Sequence, residues 1–444
     1  MSNRQSPENA VAPEFLPKDE EPPEYAEYAD DFDRKREAIE RAAERFETPF
    51  HLYDERGIRH TARELREAFA WAPGYRNFFA VKALPNPRIL DILREEGMGA
   101  DASSGPEIEL ALRAGLRGED VMFTSNNTPA EEFRRARDAG AVINFDDASF
   151  IEYYQEHVGE LPELACLRFN PGDAKGGNRI IGEPVEAKYG LTTIQLPGAY
   201  AQLRDGGVER FGLHAMVASN ELDPEYFAET ARIVFEQAHR VQDEVGIEFE
   251  FINLGGGFGI PYEPGQRRLD LGETAAMIET QYRFAFGDSG PRIVTEMGRL
   301  PTGPHGVLVT EVRHLMEKYR EYAGVDATMA DLMRPGLYGA YHHVTVLRPG
   351  KGGAAGVETR TYDVVGSLCE NNDKFAVQRE LPELRSGDVL AIHDTGAHGR
   401  AMGFNYNGKL RCGEVLLRED GELELIRRAE TEDDYFATLD VPES

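Results

Sequence analysis

Five short stretches of this 444-residue chain carry side chains suited to chemistry. Phe79-Ala80-Val81-Lys82-Ala83 sets one lysine in an apolar run that reads as a strand. Lysine is almost never fully buried without a partner, so a strand-end lysine reaching out to solvent is the plain alternative. At the mouth of a barrel strand, burial would lower its pKa and let the neutral amine form a Schiff base with a carbonyl. Leu254-Gly255-Gly256-Gly257-Phe258-Gly259 is either a flexible turn or a loop whose backbone N–H groups can close on an anion such as phosphate. Glu296-Met297-Gly298-Arg299 offers a carboxylate able to keep a pyridinium nitrogen protonated and a guanidinium able to grip a phosphate or carboxylate. Its alternative is a structural ion pair. Ser367-Leu368-Cys369-Glu370-Asn371-Asn372-Asp373 concentrates a thiol and polar neighbours in a loop, although most cysteines are buried and inert. Arg334-Pro335-Gly336-Leu337-Tyr338 adds a second guanidinium and a phenol.

These groups need a scaffold, and the apolar pattern supplies one. Strand-like segments are expected at 78–83, 99–103, 121–125, 141–145, 165–169, 211–215, 248–254 and 292–296. Helical stripes separate them: Ile89, Leu90, Ile92 and Leu93 after the first, Ile108, Leu110, Ala111 and Leu112 after the second. Eight such units over about 250 residues predict a (β/α)8 barrel, in which loops after the seventh and eighth strands often bind phosphate. The glycine run follows the seventh strand and Glu296 ends the eighth. Beyond Val309 the helical spacing fades. Segments 343–347, 362–365, 389–393, 414–417 and 422–426 predict a mostly antiparallel β-barrel or sandwich domain, punctuated by a loop signal at 348–353. The expected organisation is an acidic, proline-rich disordered segment over 1–30, then a helix and strand over 31–53 that join the β domain. The barrel follows over 54–309 and the β domain over 310–444.

Ten segments in order resemble the pyridoxal-phosphate-dependent decarboxylases of the alanine-racemase-like fold, and among them the diaminopimelate decarboxylases. Besides the stretches above they are Thr124-Ser125-Asn126-Asn127, Arg168-Phe169-Asn170-Pro171, Lys188-Tyr189-Gly190, Gly212-Leu213-His214 and Gly387-Asp388. The resemblance runs from Thr48 to Leu439. It implies that pyridoxal 5′-phosphate is the cofactor and that Lys82 holds it covalently. Gly256, Gly257, Gly298 and Arg299 would bind its phosphate, and Glu296 its ring nitrogen. Arg299, Arg334, Tyr338 and Glu370 would hold the substrate. Cys369 would return a proton to carbon after carbon dioxide leaves. The cysteine loop would reach the site of a second subunit, which implies a homodimer with shared active sites. The implied reaction is decarboxylation of meso-2,6-diaminopimelate to L-lysine, the last step of lysine biosynthesis.

Two departures set this chain apart within that resemblance. The family usually stacks a histidine on the cofactor at the position of Met216, two residues after His214; a thioether there can pack on the ring but carries no charge. Residues two apart on a strand share a face, so Met216 is expected to keep the contact. The family's tyrosine at His398 is likewise absent, although His398 can still donate a hydrogen bond. Decarboxylation of ornithine, lysine or a D-amino acid therefore stands as an alternative. A racemase is disfavoured because alanine racemases put arginine at the ring nitrogen. A silent regulatory homologue is disfavoured because Lys82 and Cys369 are both kept.

Composition limits the partners. With 79 Asp and Glu against 49 Lys and Arg, the net charge is −30, a surface that repels nucleic acid and anionic membranes. No apolar run is long enough to span a bilayer, and the first thirty residues lack the apolar core of a signal peptide, so a cytoplasmic enzyme is expected. Cys166, Cys369 and Cys412 are too few and too scattered for a disulfide framework or a four-cysteine zinc site, and no metal is expected. The charge fits high solubility and, more sharply, life in a salty cytoplasm where counterions screen the repulsion. If so, the melting temperature rises from low to molar salt; a melting temperature indifferent to salt contradicts that adaptation.

Overall fold

Eight parallel strands close into a barrel, and a separate mixed sheet packs against its mouth. The computed structural model describes residues 35–176, 182–347 and 358–440. The expected 1–30 segment and the 348–353 loop lie outside these residues. Helix α1 (35–45) and strand β1 (Phe50–Asp54) come first. Helix α2 (Glu55–Ala68) follows, burying Ile58, Thr61, Ala62 and Leu65, the i, i+3, i+4, i+7 face of an amphipathic helix. The barrel then alternates β2 (Arg76–Ala80), α3 (Pro87–Glu95), β3 (Gly99–Ala102), α4 (Gly105–Arg113), β4 (Val121–Thr124), α5 (Ala130–Asp138), β5 (Val142–Phe145), α6 (Ser149–His157) and β6 (Leu164–Phe169). It continues through α7 (Gln195–Asp205), β7 (Arg210–Ala215), α8 (Pro224–Val245), β8 (Phe249–Asn253), α9 (Leu271–Phe286) and β9 (Arg292–Thr295), and β9 pairs with β2 to complete the closed circle.

Local chemistry sets the helix starts. Asn86 caps α3 by accepting from the Arg88 N–H at 3.0 Å, with Pro87 in the first turn, and Asp223 and Pro224 repeat the device at α8. Gly246 ends α8 in the left-handed conformation at φ 75° that glycine accepts without strain.

Inside the barrel the two-residue strand period sorts side chains into layers. Phe78, Met122, Val142, Leu164, Phe251 and Val294 fill the lower end as an apolar plug. Gly212 is required beside it, since a Cβ there would sit 2.2 Å from the Phe251 ring. Two residues further along the same faces stand Thr124, Asn144, Asn253 and Glu296, joined by Asp101 and His214. Within one layer the interior therefore turns from apolar to polar. At the seam, Asn77 accepts from the Met297 N–H at 2.7 Å and from Thr295 Oγ1 at 2.9 Å, which anchors the chain on either side of Glu296.

Beyond β9, a one-turn helix α10 (Arg299–Thr302) leads into β10 (Gly306–Glu317). The remaining elements are β11 (Glu321–Val325), α11 (Arg334–Tyr338), β12 (Val344–Leu347), β13 (Thr359–Val365), β14 (Lys374–Pro382), β15 (Val389–Ile392), β16 (Gly413–Leu417), β17 (Leu423–Arg427) and α12 (Glu432–Phe436). With β1 the strands form one sheet in the order β14-β13-β11-β10-β1-β16-β17, and β15 and β12 branch from β10. The sheet is less antiparallel than its strand pattern suggests: β1 runs parallel to β16 and β11 parallel to β13. β10, β11 and β14 were not among the expected strands. Much of β10's second half is exposed, so it lacks the apolar alternation that marks a half-buried strand.

One correction bears on chemistry. The first barrel strand ends at Ala80, and Val81–Ala83 form a 3-10 turn, so Lys82 stands on a turn after the strand and not within it. The β domain holds that turn in place. The His398 N–H donates to the Ala83 carbonyl at 2.8 Å and Arg427 Nη2 to the Pro85 carbonyl at 2.7 Å. Glu414, buried on β16, accepts from Tyr53 Oη at 2.8 Å, from Asn86 Nδ2 at 3.0 Å and from Arg427. Burial pushes the Glu414 carboxyl up, but Arg427, Arg400 and the Asn86 amide outweigh it and hold it below its ordinary value. Its stabilisation is thus present above the normal carboxylate range and lost as acid protonates it. Glu414→Ala, which strands the Arg427 charge, is expected to lower unfolding stability by about 3 kcal/mol near neutral pH. Denaturant melts check this; a loss under about 1 kcal/mol contradicts the role of Glu414 as the joint.

Candidate active site

Glu296 forms the polar floor. It is 6% exposed; Oε1 accepts from Asn253 Nδ2 at 2.7 Å and Oε2 from His214 Nε2 at 3.0 Å. A carboxylate only accepts, so His214 carries its proton on Nε2. Burial favours the neutral acid, yet His214, Lys82 and Asn253 together bring the Glu296 carboxyl below its usual value. Asp101 shows the opposite balance. Burial and the Glu296 charge push its carboxyl well up, and its Oδ1 has no hydrogen-bond partner among the described residues. Two acids in one low-dielectric space do not both ionise. Glu296 is the charged one and Asp101 holds a proton.

At Lys82 opens a cavity of about 600 Å³ bordered by Lys82, Arg299, Arg334, Tyr338 and His398, together with Tyr262; Glu296, Met216, Gly256, Gly257 and Gly298 do not border it. Lys82 is solvent-exposed, as the alternative of a lysine reaching out to solvent had it, because the turn lifts it into the opening. Its charge still reaches Glu296, Asp101 and His398. Burial drives the His398 imidazole well below its ordinary pKa, and Arg299, Arg334 and Lys82 add to that, so the ring is neutral. Arg299 Nη1 donates to Tyr262 Oη at 2.6 Å, and the Arg334 guanidinium lies 4.2 Å over the Tyr262 ring. Both arginines are buried, and among the described residues neither forms an ion pair with a carboxylate. Burial lowers the Arg334 pKa from its ordinary value.

The glycine run packs against this site. A Cβ on Gly256 would meet the Glu296 carbonyl oxygen at 2.4 Å, one on Gly257 the Ala218 side chain at 2.6 Å, and one on Gly298 the Ala83 side chain at 2.9 Å. β7 closes at Ala215, one residue short of Met216, whose Sδ lies 3.1 Å from the Gly256 nitrogen. His214 stays beneath on Glu296.

Cys369 and Glu370 do not border the cavity of their own chain. They are exposed, so the buried-cysteine alternative fails for Cys369. Asp373 turns their loop, accepting the Leu368 N–H at 2.7 Å and the Met329 N–H at 2.6 Å, while the Cys369 N–H donates to Asn407 Oδ1 at 2.6 Å.

A lysine, a glycine cradle and an ionised floor carboxylate on a barrel mouth match a known pattern. The family described as pyridoxal-dependent decarboxylase, pyridoxal binding domain, matches residues 55–303. The chain belongs to the pyridoxal-dependent decarboxylase family. It is a lyase that uses pyridoxal phosphate. It is 46% identical over 398 residues to Protein TabA of Pseudomonas amygdali pv. tabaci, covering 89% of this chain and 91% of that one. It is 38% identical to the diaminopimelate decarboxylase of Methanothermobacter thermautotrophicus, covering 91% and 94%. The crystal structure of Methanocaldococcus jannaschii diaminopimelate decarboxylase in complex with L-lysine aligns with TM-score 0.81 at 31% identity, over 91% of this chain and 94% of that one. The residues present fit the cofactor, because Lys82 offers an amine whose charge reaches the buried carboxylate of Glu296, and Arg299 is a buried guanidinium without a carboxylate partner among the described residues.

Sequence reasoning overlooked Asp101, Asn253, Tyr262 and His342. Asp101 and Asn253 were open to the two-residue period, being polar on faces otherwise apolar. Tyr262, three residues past the glycine run, and His342 carried no local signal, since their partners lie elsewhere in the chain. Among the described residues no helix is long and apolar enough to cross a membrane.

Proposed function

We propose that this protein decarboxylates meso-2,6-diaminopimelate to L-lysine and carbon dioxide. The observation that carries the reading is the pair of buried guanidiniums, Arg299 and Arg334, facing the same cavity as Lys82 without a carboxylate partner. A substrate that loses one carboxylate and keeps another supplies what they lack; ornithine offers no second acid. Glu221 and Glu263 on the same wall suit its distal amine.

Each residue has a part in this reading. Lys82 holds the cofactor through its amine, and Gly256, Gly257, Gly298 and Arg299 receive the phosphate. Glu296 would keep the ring nitrogen protonated, and Met216 and His398 would contact the cofactor. Bound there, pyridoxal phosphate supplies a ring that takes up the electron pair left as carbon dioxide departs. Arg334, Tyr338 and Arg299 would hold the retained end of the substrate and so orient it for loss of the other carboxylate. Cys369 and Glu370 do not border their own cavity, and their exposed loop, tied by hydrogen bonds to Asp373 and Asn407, suits delivery to a second copy in a homodimer. In that arrangement the partner subunit's Cys369 gives its proton to the carbon that lost its carboxylate.

A second reading, decarboxylation of another amino acid, draws on Met216 and His398, where the diaminopimelate decarboxylases usually carry histidine and tyrosine. Release of carbon dioxide from a panel of meso-diaminopimelate, L- and D-lysine, L- and D-ornithine and arginine separates the two. Turnover confined to diaminopimelate is expected; turnover of another member alone overturns the assignment. On the holoenzyme, Lys82→Ala should abolish the near-visible absorption of the lysine-linked cofactor, and Cys369→Ala should slow turnover by at least about tenfold with the cofactor still bound. An unchanged spectrum, or full activity, removes the respective role.

A further inference from the structure

Arg334 is held in an unusual way for an arginine in this protein. Arg59, by contrast, pairs with four carboxylates, Glu55, Glu95, Glu96 and Glu419, at 2.7, 2.6, 3.1 and 3.7 Å, and has no charge to spare. Arg334 Nη1 instead lies 2.9 Å from His342 Nε2, while His342 Nδ1 lies 2.7 Å from the His393 carbonyl oxygen. A guanidinium only donates and a carbonyl only accepts. The imidazole between them must therefore carry its proton on Nδ1 and present a bare Nε2 to the arginine. The geometry allows no second proton, and so no charge, on that ring. Burial and the Arg334 charge agree, bringing its pKa down to about 3.

The fold builds this contact directly behind Arg334 and Tyr262, which border the cavity. Gly339, at φ 63°, ends α11 and turns the chain back, so His342 returns beside Arg334 eight residues on. The β12–β15 ladder, with Val344 opposite Ile392, sets the His393 carbonyl. The Tyr262 ring meets His342 edge-on at 5.2 Å, and Arg379 Nη1 donates to the His342 carbonyl at 3.0 Å. His342 is buried and does not border the cavity. The acid whose field reaches Arg334 is Asp394; burial lifts its carboxyl to about 7, and it forms no ion pair with Arg334 among the described residues.

We propose that His342 is a positioning residue that sets substrate specificity: its uncharged ring aims Arg334 into the cavity and leaves the guanidinium charge free for the carboxylate that the substrate retains. An acid in its place would aim Arg334 equally well but neutralise it. The proposal rests on the diaminopimelate reading and adds to it the device that keeps the anion site charged.

The test uses holoenzyme and two probes, L-lysine, which has the retained carboxylate, and 1,5-diaminopentane, which lacks it. Binding is read by calorimetry, and KM and kcat on diaminopimelate by carbon dioxide release. His342→Asn keeps a donor near the His393 carbonyl but loses the acceptor for Arg334, whereas His342→Gln places an amide oxygen near the Nε2 position. His342→Asn should weaken L-lysine roughly tenfold, the scale of one misaligned charge-assisted hydrogen bond. Its diaminopentane affinity should hold within about twofold, and KM should rise tenfold while kcat changes by less than threefold. His342→Gln should restore most of the loss. Equal weakening of both probes, or rescue by Asn and not by Gln, shows a merely structural histidine and overturns the proposal. A wild-type enzyme that binds the two probes equally overturns the diaminopimelate reading and the proposal with it, so the two failures are distinct.

Discussion

One negative charge inside the barrel organises the site. Glu296 would be neutral if burial alone decided, since removing a carboxylate from water is costly. Asn253 and His214 each give it a hydrogen bond, and the Lys82 amine adds a favourable field. The cost of ionisation is displaced onto Asp101, which keeps its proton. The resulting asymmetry gives the floor one acid that attracts a proton on a ligand and one that does not compete for it. The strand period makes this possible, since the layer below is an apolar plug with no polar group to compete for the charge.

The second requirement is a fixed distance between that charge and the amine. Lys82 stands on a 3-10 turn, so the barrel ladder alone does not define it. The β domain finishes the task through His398, Arg427 and Glu414, all more than 300 residues away along the chain. This accounts for a barrel that carries a mixed sheet at its mouth, and for the first strand of the described chain belonging to that sheet. The position of Lys82 is thus set by the barrel and the mixed sheet together.

Much of the architecture was legible from pattern. Apolar strands separated by amphipathic helices gave the barrel, and the glycine run and Glu296 fell after its last two strands. Other features escaped because they depend on partners distant in sequence. The parallel pairing of β1 with β16 joins residues about 360 apart, which no local signal reports. Lys82 was expected within a strand because its neighbours are apolar, yet it stands on a 3-10 turn held by residues of the distant β domain. Tyr262 and His342 are ordinary aromatic residues until Arg334 is seen between them. Cys369 illustrates the reverse: its polar, glycine-flanked setting argued for a loop, and it is indeed exposed, held by Asp373.

The account stands on the ionised Glu296, and replacing it by glutamine tests that directly. Glu296→Gln preserves shape and the hydrogen bond to Asn253 while deleting the charge. The holoenzyme variant should retain cofactor but decarboxylate slower by on the order of a hundredfold, the scale of losing one preorganised electrostatic contact. Turnover within about twofold of the wild type would show that the buried charge does not serve the reaction.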